Sequence, residues 1–231
     1  VADPDKTPAD PEVAELRQLV VAASRRLSGE DLVPGTAGNV SARAGGLVAV
    51  TPTGARLGEL EAEQIAVVDL DGRQLDGPLA PTSELALHTG IHRERGDGAV
   101  VHTHAPLATS LSLVLDELPL VHYQQLLLGG TVRVAPYATF GSPDLAAGVL
   151  SALEGRTAAL MANHGAVTVG PDPGAAVEAS LLLEWCCDLY LRAAAIGEPR
   201  TLDDAAQQAV IDQAASLGYG APKPAQEGTT G

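Results

Sequence analysis

The sequence predicts an α/β chain, and three observations carry that expectation. Apolar residues recur at helical spacing in several segments, including Val13 to Leu27, Ser83 to Arg95 and the long stretch after Asp172. Short apolar runs of β type lie between them, bounded by turns rich in Gly, Pro and Asp. The 231 residues suit one large domain or two small ones, and 45% hydrophobic with 19% charged residues is the balance of a chain that buries a core.

Taken in order, Val1 to Glu12 is acidic and proline-rich and reads as a flexible lead-in. A helix follows over Val13 to Leu27. Leu32 to Ser41 then forms a short loop with two glycines and two hydroxyl residues, a plausible nest of backbone N–H groups for an anion. It has neither the lysine of a P-loop nor the spacing of a dinucleotide loop. Val40 to Arg43 and Leu47 to Thr51 read as a hairpin turning at Ala44-Gly45-Gly46. Thr51 to Gly54 is a second hydroxyl-bearing loop. Ile65 to Leu70 and a short strand before Pro78 flank the Asp71-Gly72 turn, and Pro81-Thr82-Ser83 brings a third group of hydroxyls.

Ser83 to Arg95 predicts a helix with Ser83 as N-cap. Ala99 to His104 is a strand-like run, followed by helix from Pro106 to Leu115. Leu118 to Tyr123 leads into a helix or loop ending at Gly129-Gly130. Thr131 to Val134 is a strand, Pro136 to Ser142 a structured loop, and Ser142-Pro143-Asp144 opens a helix. Ala158 to Ala162 and Ala166 to Val169 are strands around Asn163-His164-Gly165. Asp172-Pro173 caps a long helix through Ile196, and a last helix runs from Leu202 to Leu217. From Gly220 to the last residue the chain reads as a flexible tail.

A formal net charge of −15 argues against a nucleic-acid surface and against docking on anionic lipid, so neither partner is expected. No apolar run reaches the length of a membrane span, and no basic-then-apolar signal opens the sequence. The only cysteines, Cys186 and Cys187, are neighbours that bond to each other only with strain. Free thiols in a reducing cytoplasm are the expectation.

The chemistry concentrates between Pro81 and Ser110. Side chains alternate along a strand, so His102 and His104 present two imidazoles on one face, half of a metal site. Glu84, at the mouth of the preceding helix, is a carboxylate that could reach the same pocket. A competing arrangement is present too: Glu84, His88 and His92 are four apart and could share one helical face and bind a metal themselves. His164, at a strand end beside Gly165, offers a third imidazole, and three imidazoles with an open position are the composition of a catalytic zinc site.

The segments GTAGNVSAR, TPTG, PTSE, AVVHTHAPLATS, VHYQQLLLGG, APYATFG and NHGAVTVG, with the Trp185 to Ile196 helix, resemble the class II aldolase/adducin family, most closely its L-fuculose-1-phosphate aldolases. The resemblance spans about Val13 to Tyr219. It implies a single α/β domain over 13–219, with a central, mainly antiparallel sheet, helices on both sides, and assembly as a homotetramer. It implies one zinc ion per subunit on His102, His104 and His164, and Glu84 as catalytic acid/base beside or on the metal. Gly38, Asn39, Thr53, Gly54, Thr82 and Ser83 match its phosphate-binding positions. Tyr123, Phe140 and Tyr219 match residues that line or close the site, Tyr123 reaching in from a neighbouring subunit. His88 and His92 then fall to structural roles. The segment from Tyr123 to Phe140 is about one residue shorter than in the fuculose enzymes, and the chain after Tyr219 differs from theirs.

The activity so implied is cleavage of a ketose 1-phosphate, a small sugar phosphate, to dihydroxyacetone phosphate and an aldehyde. No Schiff-base lysine is required, and Lys6 and Lys223 lie in the terminal segments. A 4-epimerase, which typically carries Asp where Glu84 stands, a methylthioribulose-1-phosphate dehydratase, a decarboxylase and an adducin-like binding module share the fold.

Overall fold

The computed structural model describes residues 11–96 and 98–217. Helical spacing of apolar residues produces α1 (Pro11–Gly29), which buries Val13, Val20, Val21 and Leu27. The predicted hairpin forms from β1 (Asn39–Ala44) and β2 (Leu47–Val50) around Gly45-Gly46. A second hairpin pairs β3 (Ala66–Asp69) with β4 (Gln74–Asp76) across a turn in which Gly72 has φ 85°, a conformation that favours glycine. Then come α2 (Leu85–Arg95), β5 (Gly98–Thr103) and α3 (Pro106–Ser112), which stops at Ser112 rather than Leu115. A two-residue strand that the sequence did not reveal, β6 (Glu117–Leu118), precedes a 3-10 turn over Tyr123–Leu128 and β7 (Val132–Ala135). The remainder is α4 (Pro143–Ala152), β8 (Ala158–Met161), β9 (Gly165–Gly170), α5 (Pro173–Ala194) and α6 (Asp204–Leu217).

Two helix starts follow the sequence closely. Ser142 Oγ accepts from the Leu145 N–H at 3.2 Å and Asp172 Oδ1 from the Ala175 N–H at 2.8 Å, each with proline in the first turn. The third start corrects the expectation. Ser83 is not the cap of α2. Glu84 takes the cap position, without a side-chain cap bond, because Thr82 forms the turn. The Glu84 N–H donates to Thr82 Oγ1 at 3.2 Å and the Leu85 N–H to the Thr82 carbonyl at 3.2 Å. The Glu84 carboxylate is thereby released for other partners.

The strands form one nine-stranded sheet in the order β4-β3-β2-β1-β5-β9-β8-β7-β6. Every pairing is antiparallel except β7 with β8, which α4 connects by a crossover. Strand alternation splits the core in two. Val40, Ala42, Ala99, Val101 and Leu160 face α1, α3 and α5. Val100, Ala159, Met161, Val167 and Val169 face α2 and α4. Helices therefore cover both sides, as the sequence predicts. Among the described residues no helix is long and apolar enough to cross a membrane, and both cysteines are free and buried in α5.

The sheet is tightest where β5 meets the β8–β9 hairpin. Asn163, at φ 56°, turns the chain, the His164 N–H donates to the Met161 carbonyl at 3.1 Å, and Gly165 pairs with Met161. Asn tolerates this left-handed conformation better than most residues. A Cβ at Gly165 would collide with the Thr103 carbonyl oxygen. Gly165→Ala should therefore cost about 1–3 kcal/mol as β9 is pushed from β5. A calorimetric scan should show the midpoint lowered by several degrees; an unchanged midpoint would contradict this account of the packing.

Candidate active site and metal centre

Register brings the predicted ligands together. Residues 39 and 102 are cross-strand partners in the β1–β5 pair, and His102 also faces Val167 of β9. His102 lies on the sheet face covered by α2, His104 follows at the strand end, and His164 sits in the β8–β9 turn. The nearest ring nitrogens of the three lie within 4.8 Å of one another, with His102 Nε2 and His104 Nε2 3.0 Å apart. His102 Nδ1 donates to the Ala166 carbonyl at 2.9 Å, which leaves its Nε2 lone pair aimed into the cluster.

Glu84 faces the same point. Its Oε2 is 3.0 Å from His102 Nε2 and accepts from Asn39 Nδ2 at 3.0 Å. Its Oε1 is 3.4 Å from His164 Nε2 and, although buried, has no hydrogen-bond partner. Burial pushes the Glu84 carboxyl up, but the facing His102 ring, the Asn39 amide and His164 together hold it well below the ordinary carboxylate range. Burial, with the other two imidazoles, lowers His104 to about 4. His164 is lowered by burial and His102. Neutral imidazoles are metal ligands. Three of them and one orphaned carboxylate oxygen converging on a single point are a donor set that fits a divalent cation.

The loops meet around this cluster. The chain bridges Pro52 to Pro81, with the Thr53 N–H donating to the Ala80 carbonyl and the Thr82 N–H to the Thr51 carbonyl, both at 3.0 Å. Gly38, at φ 81°, packs so closely that a Cβ would lie 2.5 Å from Val33 Cγ1 and 2.9 Å from the His102 carbonyl oxygen. The resulting cavity, of about 340 Å³, is lined by Gly38, Asn39, Thr53, Gly54, Thr82, Ser83, Glu84, His104, His164 and Phe140. His102 is buried behind it. Thr36, Ala37, Pro52, Tyr137, Ala138 and Asn163 also line it; each lies within one of the quoted motifs, which give them no individual role.

Other predicted residues lie elsewhere. Tyr123 does not line this cavity; it sits in the 3-10 turn beside α6, where Leu126, Leu127, Val210 and Ile211 form an apolar hollow. Tyr219 lies outside the described residues. Among the apolar residues around Tyr123, Leu118, Leu120 and Leu128 are buried in their own chain, whereas Leu127 is 65% exposed. His88 and His92 share one face of α2 but turn toward Ser41 of β1, away from the imidazole cluster.

Residues 18–191 match the family described as the class II aldolase and adducin N-terminal domain. The chain is 37% identical over 211 residues to a 5-methylthioribulose-1-phosphate/5-deoxyribulose-1-phosphate aldolase of Rhodospirillum rubrum, covering 90% of this chain and 95% of the relative. A 5-deoxy-D-ribulose 1-phosphate aldolase of Bacillus thuringiensis is 36% identical over 191 residues, covering 81% and 90% of the two chains. Among solved structures, an L-fuculose 1-phosphate aldolase superposes with a TM-score of 0.81 at 33% identity, over 86% of this chain and 95% of the other. The chain therefore belongs to the class II aldolase and adducin family, and it is an enzyme of that family.

Titration of the purified protein with a divalent ion should give one tightly held ion per chain. His104→Ala should lose it; full occupancy in that variant would contradict the assignment of the cluster.

Proposed function

We propose that the chain is a metal-dependent aldolase that cleaves a ketose 1-phosphate to dihydroxyacetone phosphate and a small aldehyde. One observation carries the reading: a single cavity, lined by His104 and His164 with His102 directly behind them, brings the imidazole cluster together with a buried carboxylate and three loops that carry glycine or hydroxyl groups. His102, His104 and His164 would hold the ion, and three imidazoles with an open position suit zinc. When bound, such an ion supplies Lewis acidity for a substrate carbonyl and for the negative charge that develops beside it.

Glu84 handles the proton. Ionised, it takes a proton from the carbon beside the carbonyl of dihydroxyacetone phosphate; in cleavage it returns that proton to C3 once the C3–C4 bond has broken. Gly38, Asn39, Thr53, Gly54, Thr82 and Ser83 bind the phosphate through N–H and O–H donors. Among the described residues no Lys or Arg lines the cavity, so neutral donors carry this recognition. Tyr123 from an adjacent subunit, with Tyr219, exchanges a proton with the departing aldehyde oxygen. The sugars in the relatives' names share a tip without a terminal hydroxyl, whether 5-deoxy, 5-methylthio or the 6-deoxy end of fuculose. Pro52, Tyr137, Ala138 and Phe140 give the cavity an apolar wall that suits such a tip. Exposed Tyr123, Leu127 and Ile211 support a homotetramer, and the buried free thiols suit the cytoplasm.

The deciding experiment supplies 5-deoxyribulose, 5-methylthioribulose and L-fuculose 1-phosphates to the metal-loaded protein. Dihydroxyacetone phosphate and aldehyde should appear in equal amounts from at least one. Glu84→Gln should retain the metal and lose about 100-fold or more in turnover and in solvent exchange of the dihydroxyacetone phosphate proton. Dehydrated or epimerised sugar phosphate without aldehyde would overturn the reading. Sedimentation should find a tetramer; a fully active monomer would remove the subunit-boundary role of Tyr123.

A further inference from the structure

A continuous run of buried polar side chains leads from Glu84 into the space between α2 and β1. Asn39 Nδ2 is 3.0 Å from Glu84 Oε2, and Asn39 Oδ1 is 2.5 Å from His88 Nε2. Ser41 Oγ lies 2.6 Å from His88 Nδ1 and 2.8 Å from His92 Nε2. All five residues are buried. Their alignment follows from element geometry: residues 39 and 41 are two apart on a strand, and residues 84, 88 and 92 are four apart on a helix.

The direction of each bond follows from the carboxylate. An ionised carboxylate only accepts, so Asn39 turns its NH₂ group to Glu84 and its carbonyl oxygen to His88. That oxygen also only accepts, so His88 carries its proton on Nε2. Burial, with His92 beside it, lowers His88 to about 3, which keeps the ring neutral and Nδ1 an acceptor. Ser41 then donates its hydroxyl proton to His88 Nδ1 and accepts from His92 Nε2–H. Every donor in the run points toward Glu84.

We infer that His88 is a positioning residue for the Glu84 carboxylate, acting through Asn39, with Ser41 and His92 holding it in the productive tautomer. An amide has nearly the same shape when flipped. A flipped Asn39 would set its oxygen against the carboxylate, lone pair to lone pair. The Nε2–H of His88 opposes that flip. His88 and His92 do not line the cavity and touch no substrate there. Asn39 does line it, so the same lock fixes where its second amide proton points.

The inference rests on Glu84 being the acid/base, and the test separates the two. Glu84→Gln, His88→Leu and His88→Gln are compared in the metal-loaded enzyme for kcat, KM, metal content and solvent exchange of the dihydroxyacetone phosphate proton. His88→Leu should keep its metal and lose between about tenfold and hundredfold in kcat and exchange, and His88→Gln, whose amide can still donate to Asn39, should recover to within about threefold of wild type. Nitrogen NMR of the wild-type protein should find His88 neutral with its proton on Nε2. Wild-type exchange in His88→Leu, equal losses in the Leu and Gln variants, or a proton on His88 Nδ1 would each overturn the inference. The NMR result decides even where His88→Leu does not fold. Undiminished exchange in Glu84→Gln would instead remove the acid/base role itself.

Discussion

A buried carboxylate with one unsatisfied oxygen, facing three imidazoles, is the constraint on which the rest of this structure depends. Leaving an anion buried without partners costs several kcal/mol, and burial at the same time disfavours protonation of the imidazoles around it. His104 is held to about 4 and His164 is lowered as well, so these two rings tend toward neutrality while Glu84 stays ionised. A shared cation would satisfy all of them together. The fold supplies the geometry through the antiparallel registers of β1, β5 and β9, and through Gly165, which lets the His164 turn close against Thr103.

Much of this arrangement was legible because it is local. Strand alternation announced the His102 and His104 pair, glycine beside His164 marked a close approach, and the proline-led caps of α4 and α5 read directly. Other features needed long-range information. The spacing of Glu84, His88 and His92 correctly predicted one shared helix face but could not say what that face meets. The answer is Ser41 and Asn39, fixed by how α2 lies across β1. Ser83 looked like a cap because a hydroxyl before an apolar run usually is one; Thr82, one residue earlier, forms the turn instead. Near Tyr123, composition cannot distinguish leucines that line the core from leucines on the surface: Leu118, Leu120 and Leu128 are buried and Leu127 is exposed. β6 is too short to carry a period.

The loops show how recognition can be built without charge. None of the three hydroxyl-bearing loops is distinctive alone. The bridge between Pro52 and Pro81 ties two of them side by side, and Gly38 presses the third onto the His102 backbone. The carboxylate, the ring nitrogens and the N–H donors thus share one cavity with an apolar wall, in a chain of net charge −15. Under the proposed function, neutral donors would hold a phosphate there, and among the described residues no Lys or Arg lines the cavity.

X-ray absorption on the zinc-loaded protein tests the central arrangement most directly. Three imidazole nitrogens at about 2.0–2.1 Å from the metal, with the remaining coordination from oxygen, is the result this account predicts. A first shell with fewer than three imidazoles, or one containing sulfur, would contradict it.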